Sequence, residues 1–364
     1  MKSKVKILVA TGGTGGHVFP AYSIVRYFKK KQYSLSIITD KRGLKYLENY
    51  QDLKLKVINS DTIYNKNPLN IILSFFIIIF AFINSAIYLI KLKPKIVFGM
   101  GGYSSFPVCL AAKLLKIPFI IYENNLCLGK ANKYLLPFAH KLLVSYQDLE
   151  GVKDKYKLKI VKVGNIIREE ILNYNEKISK RSFKNMGVLI LGGSQAAKLF
   201  AEKIPVIIKA CKEEDIKLRI YQQCLSSQQD DLKNFYNSLN IDHEIFSFKH
   251  DLLEYFMKVD FVITRAGSSM MAELLNCNVP IIAIPLPSSA DNHQFKNAKY
   301  FQDKGYAYMI EQKNIDTNLY PLIKSIHNNN TLLTKIKINQ NRYSDKKVFE
   351  KIDIQIKDII NEQY

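Results

Sequence analysis

Metal-ligand spacing, a disulfide framework and a cation-holding D-x-D are all missing from this 364-residue chain. Its five cysteines, Cys109, Cys127, Cys211, Cys224 and Cys277, stand apart with no C-x-x-C. That argues against a zinc site and against a stapled secreted fold, and it fits a reducing cytosol. No glycine loop ends in Gly-Lys-Ser/Thr: Gly16 is followed by His17, so a Walker phosphate loop is excluded. Counted from Gly13 and Gly15, the third glycine of G-x-G-x-x-G falls on Val18, which speaks against a dinucleotide fingerprint. The nearest approach to D-x-D is Glu213-Glu214-Asp215, in a charged, helix-like stretch. Acidic residues are scarce, with 32 Asp and Glu against 53 Lys and Arg, a net charge of +21. A Lys/Asn/Ile-biased composition explains much of that surplus, which still favours anionic partners. Helix-turn-helix, RNP and zinc-finger patterns are absent, so no nucleic acid is expected and an anionic membrane surface is the better candidate. A signal peptide is not expected either, because the apolar run ILVA after Lys6 is short and ends in glycines.

What is present begins with KVKILVATGGTGGHVFPAYSIVRYF, a strand, a glycine cluster and a helix start. Glycines 12, 13, 15 and 16 allow a tight turn and a close approach to a ligand. The following helix aims its unpaired N–H groups and positive dipole end at the same spot, which suits a phosphate or sugar diphosphate. The pattern recurs in KIVFGMGGYSSFPVCLAAKLL, in GVLILGGSQAAKLFAEKI and in DFVITRAGSSMMAELL, where a serine is expected to cap the helix. Four strand–loop–helix units indicate doubly wound parallel α/β sheets, whose ligands sit at the carboxyl ends of the strands. The length suits about two domains. The expected boundaries are residues 1–166, 167–335 and a closing helical segment 336–364, with the polar stretch 173–186 as a connection.

Between Lys66 and Lys91 the chain carries no charge and is long enough to span a bilayer, for which about 20 apolar residues suffice. A single crossing would put the loops at Gly12–Gly16 and Gly99–Gly102 on opposite sides of the membrane, although both belong to one sheet pattern. Asn70, Ser74, Ala81, Ser85 and Tyr88 also form a weak polar stripe at helical spacing. The expected arrangement is an in-domain helix with a greasy outer face, flanked by Lys66, Lys91, Lys93 and Lys95, attached to one leaflet.

Taken together, GGTGGHVFP at 12–20, GMGGYSSFP at 99–107, YENN at 122–125 with the later Asn132, GNIIR at 164–168, GGSQ at 192–195, TRAGSSMMAE and DNHQFKNA at 291–298 resemble the MurG family in content and order. These are peripheral membrane glycosyltransferases that add N-acetylglucosamine (GlcNAc) to lipid I, undecaprenyl-pyrophosphoryl-MurNAc-pentapeptide, to make lipid II of peptidoglycan. The resemblance spans essentially the whole chain. It implies a GT-B fold, two Rossmann-like doubly wound parallel-sheet domains with a cleft between them, the last helix returning to the first domain, and residence on the cytoplasmic face of the cell membrane. With no D-x-D, and so no metal and no cofactor expected, the leaving UDP must be stabilised by backbone N–H groups, helix dipoles and hydroxyls. Inverting displacement also needs a base for the acceptor hydroxyl. His17 is the first choice, since histidine works near neutrality, and Glu123 is its rival. For UDP-N-acetylglucosamine (UDP-GlcNAc), the resemblance assigns Thr14, Gly15, Gly16 and Arg168 near the donor and Ser194 with Gln195 to the diphosphate. It also assigns Gly267, Ser268 and Ser269 to donor binding and Glu273 to the ribose. Asn125 and Gln294 would hold the sugar, and backbone around Lys249 would meet the uracil.

The chain departs from the family pattern at Tyr122 and Asn124, where His and Gln are usual, at Ala196 after GGSQ, at Met270 and Met271, and at His293. These bear on acceptor contacts and donor affinity more than on reaction type. Two other classes stay open. One is an NAD-type oxidoreductase, with Asp40 at the end of SLSIITD as its ribose-binding acid. The other is a non-catalytic membrane-associated scaffold.

Overall fold

The computed structural model describes residues 5–31, 33–48, 50, 53–60, 68–174, 185–247, 249 and 251–362; side chains at 68–73 and 194–197 lie outside that description. Most of the expected connection at 173–186 therefore falls outside it. The chain divides into two compact units, Met1–Glu169 with Asp345–Tyr364, and Glu170–Ser344.

The first unit carries seven strands: β1 Lys6–Ala10, β2 Ser34–Thr39, β3 Leu55–Val57, β4 Ile96–Gly99, β5 Phe119–Glu123, β6 Lys141–Val144 and β7 Ile160–Lys162. Their order is β3-β2-β1-β4-β5-β6-β7, with every pair parallel. The second unit carries β8 Met186–Leu191, β9 Leu218–Gln223, β10 Asp242–Phe246, β11 Phe261–Thr264, β12 Ile281–Ala283 and β13 Ala307–Met309. Its order is β10-β9-β8-β11-β12-β13, again all parallel. Strands such as KILVA and FVIT are near-continuous apolar runs because helices cover both faces of a parallel sheet.

In each sheet the strand order reverses direction once, between β1 and β4 and between β8 and β11. Register places Ala10 beside Gly99 and Leu191 beside Thr264. The four glycine-marked loops therefore leave the two reversal points in pairs, where open parallel sheets bind their ligands.

The charge-free run forms the helix Pro68–Leu92, and Ser74–Leu92 is apolar and long enough to cross a membrane by composition, with a mean hydropathy of 2.2. The stripe of small and polar residues faces inward: Ser74, Ala81 and Ser85 are buried, and Tyr88 packs on the core. Asn70's side chain lies outside the described residues. Small side chains let this helix lie against the helix Ser105–Leu114, and Ser85 satisfies its hydroxyl by donating to the Ala81 carbonyl at 2.6 Å. Phe75, Phe76, Phe80, Ile83, Ile87 and Ile90 face outward.

The C-terminal helix Val348–Asn361 packs in the first unit. Phe349 stacks on Tyr27 with ring centroids 4.4 Å apart, and Tyr33 donates to Asp353 at 2.9 Å. The helix Thr331–Gln340 stays with the second unit, because Gln340 donates to the carbonyls of Val279 and Tyr306. The return begins at Asp345, later than residue 336.

Candidate active site

In the first unit, the loop after β1 is held from two sides. Gly13, at φ +82, donates to Asp40 at 3.0 Å, and Gly43 donates to the same oxygen at 2.7 Å. Arg42 clamps the other carboxylate oxygen at 2.9 Å. Opposite, Ser104 donates to the Thr11 carbonyl at 2.9 Å, tying this loop to the one after β4. Burial alone would raise Asp40's pKa, but the hydrogen bonds from Gly13, Gly43 and Arg42 outweigh it and hold the carboxyl below its usual 3.8. Asp40 is thus spent on the architecture of the glycine loop, which removes the acid that the oxidoreductase reading requires.

That depressed value has a sign. A carboxyl with a folded pKa below its unfolded one contributes stability that is complete above the unfolded pKa and lost as pH falls through the folded pKa. Asp40→Asn should therefore cost about 1–3 kcal/mol at neutral pH, and the gap from the parent should close below pH ~4. Urea midpoints at pH 7 and pH 3 test this; an equal gap at both would contradict it.

The helix Gly15–Lys29 starts directly from Thr14, an exposed residue whose side chain makes no cap bond. Pro20 lies inside this helix and has no N–H for the Gly16 carbonyl. Asn124 supplies the missing donor at 3.1 Å, so the loop after β5 is stitched to the first turn of the helix. His17, the third residue of the helix, packs against the loop after β4. A Cβ on Gly101 would stand 3.1 Å from both Cε1 and Nδ1 of its ring, and one on Gly102 would stand 2.8 Å from the Gly12 carbonyl. Gly101 and Gly102 have φ of +83 and +78, so both positions require glycine on conformation as well as space.

Glu123 closes β5, buried, and its two oxygens collect four donors: Asn125 N and Nδ2 at 3.1 and 3.0 Å, Gly129 N at 2.9 Å and Asn132 Nδ2 at 3.0 Å. This carboxylate folds the 124–132 loop around itself. Asn125 is held in the same network, bonded to Glu123 and Asn124. Asn132 is buried, and its Oδ1 accepts no hydrogen bond among the described residues. Tyr122 turns away from this loop: its hydroxyl meets Ser145 at 2.7 Å, donates to the Gly164 carbonyl and accepts from Ile166 N at 3.0 Å. Burial raises its pKa. The departure from the family histidine thus supports the GNIIR segment. Arg168 closes that segment and is half-buried in the first unit.

In the second unit, Gly192 and Gly193 open the helix Gly193–Glu213, and the side chains of Ser194 and Gln195 lie outside the described residues. The loop after β11 is ordered by Arg265, whose guanidinium donates to the carbonyls of Ile284 and Pro285 and to Gln312 Oε1 at 2.7 Å. Burial lowers its pKa to about 10. Gly267, not a serine, caps the helix Ser268–Asn276, with extended dihedrals, so the first serine is already helical. Ser268 and Glu273 are buried on this helix and Ser269 is half-buried. Asn297 donates to the Ala266 carbonyl at 3.1 Å, bringing the helix His293–Asp303 to the same loop. Asp291 and Asn292, both left-handed with φ of 50 and 55, precede it, and His293 caps back onto the Ala290 carbonyl at 2.7 Å. Gln294 receives Leu286 N on its carbonyl at 3.0 Å. Lys249 lies 3.7 Å from Glu244 and over the Tyr255 ring, so its side chain is engaged outward.

Each unit thus gathers its own set of the expected residues: Thr14, Gly15, Gly16, His17, Glu123 and Asn125 in the first, and Gly267, Ser268, Ser269, Glu273 and Gln294 in the second. A pocket of about 200 Å³ lined by Lys113, Lys116, Phe138 and His140 opens at the amino end of β5, the end opposite Glu123, and so is not part of this site. Among the described residues no group of three or more His, Cys, Asp or Glu is placed to hold a metal ion.

The glycosyltransferase family 28 N-terminal domain matches residues 7–144, and the glycosyltransferase family 28 C-terminal domain matches residues 187–352. This chain belongs to glycosyltransferase family 28. Within the family, it is 37% identical to a protein of Pelagibacter ubique (strain HTCC1062) over 98% of this chain and 99% of that one. That relative is named UDP-N-acetylglucosamine–N-acetylmuramyl-(pentapeptide) pyrophosphoryl-undecaprenol N-acetylglucosamine transferase. A protein of the same name from Rickettsia bellii (strain RML369-C) is 37% identical over 86% of this chain and 87% of its own. The crystal structure of Acinetobacter baumannii MurG superposes with a TM-score of 0.77 at 26% identity, over 99% of both chains. Two such parallel-sheet domains make the GT-B fold of the family. A UDP-N-acetylglucosamine 2-epimerase shares that fold at 14% identity, with a TM-score of 0.61 over 96% of this chain and 94% of that one. Fold alone therefore does not choose the reaction.

Proposed function

We propose that this family 28 enzyme transfers GlcNAc from UDP-GlcNAc to the C4 hydroxyl of the muramyl sugar of lipid I, giving lipid II with inversion at the anomeric carbon. The observation that carries the reading is the pairing of all four glycine loops at the two strand-order reversals, with His17 seated on one pair and Glu273 beside the other. In the second unit, the amides opening the helix Gly193–Glu213, with Ser194 and Gln195, receive the diphosphate. Glu273 takes the ribose hydroxyls, the segment around Lys249 the uracil, and Gln294 the GlcNAc hydroxyls.

In the first unit, the acceptor oxygen presents its proton to His17. As that oxygen bonds to C1 of GlcNAc, the C1–O bond to UDP breaks, the electron pair leaves with UDP, and the proton passes to the imidazole. Charge growing on the diphosphate is met by backbone N–H groups already in place, the condition under which such donors contribute most. Glu123 serves as a positioning residue, ordering Asn125 and Asn132 in the loop whose Asn124 is bonded to the helix that bears His17. The test is transfer of labelled GlcNAc from UDP-GlcNAc to a lipid I analogue with EDTA present. A labelled lipid-linked disaccharide is expected. No transfer, or conversion of the donor to its 2-epimer, would overturn the reading.

On this reading the enzyme meets its lipid-linked acceptor as a peripheral protein on the cytoplasmic face of the cell membrane. Outward-facing Phe75, Phe76 and Phe80, with Lys91, Lys93 and Lys95 at the helix end, provide an apolar face with cations to meet anionic headgroups. Phe76→Ser with Phe80→Ser should weaken binding to anionic phospholipid vesicles at least about tenfold, since each inserted ring contributes roughly 1.5–3 kcal/mol. Transfer to a water-soluble acceptor analogue should be kept. Vesicle sedimentation with no change in binding would contradict it.

A further inference from the structure

The donor half-site contains a side chain that none of the glycine motifs includes. Gln223 is the last residue of β9, and its carboxamide is used at both ends. Oε1 accepts from Gly193 N at 3.2 Å, and Nε2 donates to the Ser247 carbonyl at 3.1 Å. One side chain thus joins the loop after β8 to the loop after β10.

Strand alternation decides which glutamine can do this. Its neighbour Gln222 points into the core, fully buried, accepting from the Tyr236 hydroxyl at 2.7 Å and donating to the Phe200 carbonyl. Gln223 points to the other side, at the carboxyl edge of the sheet, where both of its bonds are exposed. Gly193 has φ +64, and a Cβ there would meet nothing within 4 Å, so this amide stands on an open rim. A carboxamide is the group that offers an acceptor to an N–H and a donor to a C=O at once.

We propose that Gln223 is a positioning residue for the nucleotide donor: it latches the loop that receives the diphosphate to the loop that leads into the uracil segment at Lys249. This rests on the transferase reading above, which assigns the diphosphate to the helix start at Ser194 and Gln195 and the uracil to the segment around Lys249; the Gly193 N–H itself is taken by Gln223. Gln223 makes and breaks no covalent bond. Its work is to keep two backbone segments at the separation that a uridine diphosphate spans, so its loss is felt in donor binding before chemistry.

The experiment is steady-state transfer from UDP-GlcNAc to a lipid I analogue by the full chain and by two variants, Gln223→Ala and Gln223→Glu, with each substrate varied in turn. Gln223→Ala removes both bonds and should raise the donor KM about five- to tenfold, with kcat within about twofold and the acceptor KM unmoved. Gln223→Glu is isosteric, so it keeps the fold. It can still accept from Gly193 but cannot donate to Ser247, and it sets a negative charge beside the diphosphate. Its donor KM should rise further, at least about twentyfold, and fall with added salt because the repulsion is screened. Both variants keeping the donor KM within twofold, or raising donor and acceptor KM alike, would overturn the latch while leaving the transferase reading standing. A parent protein that transfers nothing would remove that reading, and the latch with it.

Discussion

His17→Ala should lower kcat by about two to four orders of magnitude while leaving the donor KM within a few-fold. The expectation follows from position. His17 is carried on the first turn of the helix that leaves β1, and its ring is bracketed by Gly101 and Gly102 from the neighbouring loop. A group fixed by two loops at a strand-order reversal is ready to take a proton without reorganising. The diphosphate and ribose contacts proposed for the donor involve residues of the other unit, so truncating the ring should remove an interaction that matters as the acceptor oxygen attacks. The kinetic signature is a fall in kcat and in kcat/KM for donor by similar factors, with UDP binding by calorimetry unchanged. A variant retaining more than about a tenth of parental kcat would assign the proton to another group. Glu123→Gln separates the roles further. It keeps one carbonyl acceptor of the four-donor cluster, so its loss should appear in stability together with activity.

Gly102→Ala is the second large effect, and it acts with no change in polar chemistry. The residue sits at φ +78, where an L side chain costs about 1–2 kcal/mol. The added Cβ would also lie 2.8 Å from the Gly12 carbonyl, closer than real Cβ contacts permit. The obstruction is backbone, so it cannot rotate away. The two loops must separate, taking the Ser104–Thr11 bond and the bracket around His17 with them. Misplacement by about 1 Å suffices for a loss of about a hundredfold in rate. Gly102→Ala should therefore lower kcat at least that far and lower the melting temperature by several degrees. Gly267→Ala is the matching control: its φ is −70 and a Cβ there meets nothing within 4 Å. It should keep its melting temperature. If Gly102→Ala matched the parent in both kcat and Tm, the close approach of the two loops would be refuted.

The architecture was legible because it is local. Each strand–small-residue–helix unit is written in contiguous residues, and four of them imply parallel sheets and their carboxyl-edge ligand sites. The greasy outer face of the helix Pro68–Leu92 was legible for the same reason, since the 3.6-residue period separates small from large side chains. What escaped are contacts across distant segments. Asp40 has the position of a ribose-binding acid, and nothing near it in sequence says that Gly13 and Gly43 consume its oxygens. Pro20 announces a missing donor, but that Asn124, 108 residues beyond Gly16, supplies it to the Gly16 carbonyl is a tertiary fact. Tyr122 stands out in sequence only as a departure bearing on acceptor contacts, whereas its hydroxyl supports Gly164 and Ile166. Gln223 carried no signal beyond its place at a strand end. In each case the residue type showed that a polar group needed partners, and only the fold named them.

The central claim is that backbone amides at the start of the helix Gly193–Glu213 bind the donor's diphosphate while Glu273 holds its ribose. A crystal structure of the enzyme soaked with UDP tests it most directly. The two phosphates should lie at the backbone amides that follow Gly193 in the first turn of the helix Gly193–Glu213, with both ribose hydroxyls on the Glu273 carboxylate. Uridine diphosphate bound at the β1 and β4 loops of the first unit, or ribose held by any other residue, would contradict it.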